Sequence, residues 1–87
     1  MNRIFFTGRT GDLRIFFTPK GEKVALFPVK IEDFETVEVL YLDNEGNLNE
    51  KDFKGKKIMV FGSFIKSDEV TGKMLRIKAK KIELLEE

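Results

Sequence analysis

The chain carries nine phenylalanines, one tyrosine and sixteen lysines and arginines in 87 residues. Rings and cations together suit one non-catalytic chemistry: rings stack on flat ligands, and cations pair with anions such as phosphate. Their spacing sharpens the question. In "GRTGDLRIFFTPKGEKVALFPV", Gly8 to Val29, Phe16 and Phe17 are neighbours. Neighbours on an extended chain point to opposite faces, so a single core takes only one of the two rings. We place Phe17 in the core, continuing Ile15, and Phe16 on the outer face near Arg14. There Phe16 is either a stacking platform or a ring covered by a second subunit.

Other chemistries lack their residues. Histidine and cysteine are absent, which removes the usual zinc ligands, disulfides and the common nucleophile–base pairs. No Gly-x-x-x-x-Gly-Lys-Ser/Thr loop is present to cradle a nucleotide. "DNEGN" has the flavour of a calcium loop, but its glycine comes too early and no glutamate completes it. Asp68 and Glu69 sit where a hairpin tip is simply polar. No catalytic residue, metal or cofactor is therefore expected.

The net charge of +1 does not by itself point to nucleic acid. Its distribution says more. Lys73, Arg76, Lys78, Lys80 and Lys81 follow one another without an intervening acid, whereas Glu32, Asp33, Glu35 and Glu38 gather around Phe34. A composition of 41% apolar and 36% charged residues is that of a folding chain. No apolar run is long enough to span a membrane, and the polar N-terminus is not a signal peptide. The expectation is one cytoplasmic domain over residues 1–87 with no C-terminal tail.

The elements that must position these side chains read as strands, because the apolar period is mostly two. Met1 to Gly8 alternates, with Ile4 and Phe6 on one face and Arg3, Phe5 and Thr7 on the other. Gly8 and Gly11 mark a bend, and Leu13 to Thr18 continues the strand. "TPKGEK" is a turn, with Pro19 presetting φ and Gly21 free to take positive φ. Val24 to Ile31 and Thr36 to Leu42 follow as strands, and Pro28 demands an edge or a bulge because it lacks an N–H. Asn47 to Gly55 predicts a helix of about two turns, N-capped by Asn47 and packed through Leu48 and Phe53. Ile58 to Lys66 and Lys73 to Leu84 complete the set, joined by the "SDEVTGK" hairpin. In the last strand Ile82 and Leu84 share the parity of Arg76, Lys78 and Lys80. A twist or bulge near Lys80 and Lys81 must turn them inward, or they pack on a partner. Five strands with one short helix between the third and fourth predict an all-β OB-fold, a Greek-key barrel; a plain open five-stranded sheet is the alternative.

The same residues resemble the bacterial single-stranded DNA-binding protein (SSB) family. Its opening pattern, Asn-Lys-hydrophobic-hydrophobic-hydrophobic-x-Gly-Asn-Leu followed by Tyr-Thr-Pro-x-Gly and Val-Ala-x-Phe, is matched by "NRIFFTGRTGD" and "FTPKGEKVALF". Asn2, Arg3, Gly8, Asp12, Phe17, Thr18, Pro19, Gly21, Val24, Ala25 and Phe27 agree in type and order. "FKGKKIMVFGSF" and "KKIELLEE" are similar to the later strands. Departures accompany the match. There is no tryptophan, and the fourth-strand tryptophan position lands near Glu69. Phe34 falls close to another such place, and Tyr41 looks like the phenylalanine of the third strand. The flexible linker and acidic tail of the family are missing, as in its small primosomal relative, the PriB type.

The resemblance implies a barrel that binds and protects single-stranded DNA with little sequence preference, in replication, repair or recombination. The expected interface is Arg3, Arg14, Phe16, Phe34, Tyr41, Lys73, Arg76 and Lys78, with rings stacking on bases and cations meeting phosphates. For Phe34 and Tyr41 the alternative is ordinary packing; for the basic stripe it is a solvated face. Phe61 alternates with core-facing Val60 and suits binding or subunit contact, with subunit interface or core the favoured reading. So many outer apolar positions suggest a homodimer or homotetramer. A PriB-like module docking replication proteins, or an RNA-binding OB domain, would use the same face.

Overall fold

A computed structural model describes residues 3–32, 35–43, 48, 53–65 and 76–85. Six strands run through them: β1 (Ile4–Thr10), β2 (Arg14–Phe17), β3 (Lys23–Lys30), β4 (Thr36–Leu42), β5 (Lys57–Phe64) and β6 (Arg76–Leu84). They hydrogen-bond in the order β1-β5-β6-β4-β3-β2, and a further β1–β3 pairing closes the sheet. The closed set β1-β5-β6-β4-β3 is a five-stranded barrel in which only β4–β6 is parallel. With β1 and β2 as two halves of one bent first strand, this is the expected OB-fold.

The bend has a local cause. β1 pairs with β5 from Ile4 to Arg9 and meets β3 only at Arg9 and Thr10. A Cβ on Gly8 would lie 2.6 Å from the Lys30 carbonyl oxygen and from Val29 Cγ1, so only glycine lets β1 come in close enough to close the barrel. Residues 11–13 then leave the ladder, and Gly11 N–H donates to the Pro28 carbonyl at 2.9 Å. Pro28 therefore turns its N–H-less nitrogen toward the gap between the β1 and β2 pairings, as its chemistry requires.

The barrel is filled by the inward set of each strand. Ala25, Phe27, Val29, Val37, Val39, Phe53, Ile58, Val60, Ile77 and Ala79 form one buried cluster. Phe27 and Phe53 meet edge to face at 4.6 Å, a favoured ring geometry. The expected helix falls mostly on residues outside the described set. Its two anchors, Leu48 and Phe53, do pack on the core, and Gly55 has φ +82°. Thr10 fastens the segment after Phe53: its buried hydroxyl donates to the Phe53 carbonyl and accepts from Lys56 N–H at 3.1 Å. Buried polar groups need such partners. The Thr18–Gly21 turn forms as expected, closed by Gly21 N–H to the Thr18 carbonyl at 2.8 Å with Gly21 at φ +86°.

β6 contains the predicted bulge. Its pairing with β5 steps from Phe61↔Lys81 to Gly62↔Ala79, which leaves Lys80 as the extra residue. The step returns Ile82 to the core side, where it packs on the cluster. Leu84 gains the same parity but stays 61% exposed, because the barrel ends there.

Phe17 corrects the sequence expectation. It has the core parity of Ile15 yet is 65% exposed, more than Phe16 at 44%. β2 pairs with β3 alone, as the edge strand of the sheet. Phe17 faces Lys23 in register, and Lys23 is paired with buried Asp43 at 3.5 Å. The row on its inner side is thus an ion pair, and among the described residues it offers the ring no apolar seat.

Candidate nucleic-acid interface

The outward residues of β2, β3, β4 and β6 form a grid of three rows set by strand register. The first row is Phe16, Val24 and Leu42. The second is Arg14, Leu26, Leu40 and Lys78. The third is Pro28, Glu38 and Arg76. Leu26, Leu40 and Leu42 are half-buried and Val24 is buried, yet none of the four belongs to the inner cluster or packs against it. They make an apolar floor on the outside of the barrel. Sequence reasoning missed these four. The signal was the unbroken apolar run "VALFPV", since a strand that needs apolar residues on both faces loses its alternation.

Cations flank the floor. In the second row Arg14 stands at one edge and Lys78 at the other, both exposed. Glu38 organises two of the cations. Its Oε2 accepts from Arg14 Nη2 at 3.2 Å and its Oε1 accepts from Arg76 Nε at 2.7 Å. The carboxylate is largely covered while both guanidinium groups stay half exposed or more. One acid thus holds two forks of N–H donors in place and leaves donors of each over for another anion. Lys78 and bulge residue Lys80 have no ion pair with a described residue. Such a surface can seat flat, apolar-faced groups on the floor and anions along its edges.

The expected residues divide sharply. Arg14, Phe16, Arg76 and Lys78 come together on this grid. Arg3 does not: it precedes β1, whose only neighbour at that end is β5. Phe34 and Lys73 lie outside the described residues. Tyr41 stands off the grid. It has the parity of Val37 and Val39, stands in register between buried Ala25 and buried Ala79, and packs half-buried against the core. The outward residue beside it is Leu42.

A second outer face covers β1 and β5. Phe5 and Phe61 are in register and meet edge to face at 4.7 Å. Thr7 pairs with Met59 below them. Beside them on β6, Lys81 pairs with Glu83 at 2.9 Å, and the hydrogen bond to and charge of Glu83 raise its pKa. Phe5 remains 56% exposed.

No family model and no curated protein matches the sequence. Solved structures do match the fold. A deletion mutant and the wild-type form of the single-stranded DNA binding protein from Thermus aquaticus superpose with TM-score 0.82 at 19% identity. They cover 100% of this chain, which spans 42% and 41% of theirs, less than half. Rim1, a mitochondrial single-stranded DNA binding protein from S. cerevisiae, superposes with TM-score 0.75 at 14% identity, covering 95% of this chain and 92% of its own. What the chain shares with these proteins is the barrel fold.

Proposed function

We propose that this chain binds single-stranded DNA across the outer face of β3 and β4 with little sequence preference. The observation that carries the reading is the second grid row: two outward leucines, Leu26 and Leu40, lie between Arg14 and Lys78, with Phe16 exposed in the next row. Unpaired bases offer flat apolar faces and the backbone a string of phosphates, which is the complement of that row. The similarly folded proteins above, which bind single-stranded DNA by name, support the same ligand. Covering exposed strands in replication, repair or recombination is the role that follows.

The β1–β5 face, with its Phe5–Phe61 pair and Met59, serves self-association in this account, giving a homo-oligomer that lengthens the binding path. A protein-docking module of the PriB type is the competing reading, since an apolar floor with cationic edges also accepts an acidic, apolar peptide. Fluorescence anisotropy with labelled dT oligomers at two salt concentrations tests between them. Nucleic-acid binding predicts saturable binding that weakens with salt. Absence of binding at low salt would turn the floor over to a protein partner, and a clear preference for matched RNA would correct the ligand.

A further inference from the structure

Strand register assembles a second group of cations. Arg9 pairs in register with Lys30 on one side and Lys57 on the other. Lys30, Arg9 and Lys57 therefore form one row across β3, β1 and β5, with neighbours about 5 Å apart at the backbone. All three are exposed. Like charges directly opposite one another destabilise a sheet, so folding gains nothing from this arrangement. The row lines an open cleft of about 330 Å³ together with Thr7, Gly8 and Glu32. Among the described residues its lining carries a net of two positive charges and no apolar side chain. Arg9 Nη1 donates to the Gly55 carbonyl at 3.1 Å, which holds its guanidinium in place. Lys30 and Lys57 have no ion pair with a described residue.

The row continues the face already described. On β3 the outward set runs Val24, Leu26, Pro28, Lys30, so the apolar floor leads directly to Lys30. We propose that Lys30, Arg9 and Lys57 bind the phosphate backbone of the same single strand where it leaves the β3–β4 face and turns over the closing seam of the barrel. The inference rests on the single-stranded DNA reading and extends it by a second, purely electrostatic segment. An acidic peptide fits less well, since a protein partner draws its affinity largely from apolar and aromatic anchors and the described lining residues offer such anchors no apolar seat. Glu32 is the one acid among the described lining residues and opposes any anion there.

The test compares a dT oligomer of roughly six nucleotides, enough for the floor alone, with one of roughly sixteen. The variants are the double substitution Lys30→Gln with Lys57→Gln, and separately Glu32→Gln. The double variant is expected to bind the short oligomer within about twofold of the parent and the long one roughly tenfold more weakly at low salt. Its slope of log K against log salt should be shallower by about 1.4, the release expected for two lost phosphate contacts on a single strand. Its thermal midpoint should hold or rise, because a repulsion has been removed. Glu32→Gln should tighten the long oligomer only. Unchanged affinity and slope for the long oligomer in the double variant would overturn the proposal. So would loss of poly-glutamate binding with DNA binding intact, which would make the occupant an acidic protein segment. If the parent binds neither oligomer, the single-stranded DNA reading itself fails, an outcome distinct from the other two.

Discussion

The barrel has two apolar outer faces, and they differ in how their groups are already engaged. On the β1–β5 face the ring of Phe5 meets that of Phe61, and Lys81 is paired with Glu83. On the β3–β4 face Phe16 has no ring partner among the described residues, Lys78 and Lys80 have no acid among them, and Glu38 braces two arginines without covering them. A face whose rings pair with each other suits a copy of itself. A face with a bare floor and uncovered donors suits a ligand that brings both flat surfaces and charge.

Four substitutions break or sharpen that contrast. Tyr41→Ala removes a half-buried ring from the core side and should cost about 2 kcal/mol of stability, read as a lower denaturant midpoint, while the folded fraction binds dT oligomers as the parent does. A loss of affinity without a loss of stability would put Tyr41 back in the interface. Phe16→Ala should weaken binding by about 1–3 kcal/mol if one base stacks there, with the midpoint little moved; unchanged affinity would leave the ring to a protein contact. Glu38→Gln removes the one acid of the grid and should tighten DNA binding about threefold at low salt, with a steeper salt dependence. Its stability cost should stay under about 1 kcal/mol per surface pair lost. Phe5→Ala should leave short-oligomer affinity within about twofold and cost about 1 kcal/mol through the lost ring pair. Sedimentation would then show dissociation if this face joins two copies.

Much of the barrel was legible because its strands obey two constraints visible in the chain. Alternation located the strands, and the clash of parity between Ile77 and Ile82 called for a twist or bulge near Lys80 and Lys81 or for a partner; the structure has the bulge, at Lys80. Pro28 and the Thr18–Gly21 turn are likewise local chemistry and formed as read. What escaped were properties of rows, which run across strands. Phe17 was misplaced because its parity is inward but its row ends in the Lys23–Asp43 ion pair. The leucine floor gathers residues from two strands and the Lys30–Arg9–Lys57 row from three, so neither exists until register is set.

Amide chemical-shift mapping during titration with a short dT oligomer addresses the central assignment most directly. The account predicts that the shifts concentrate at residues 14–16, 24–28, 38–42 and 76–80, and that Phe5, Met59 and Phe61 stay in place. Shifts confined to β1 and β5, with Leu26 and Leu40 unmoved, would contradict it.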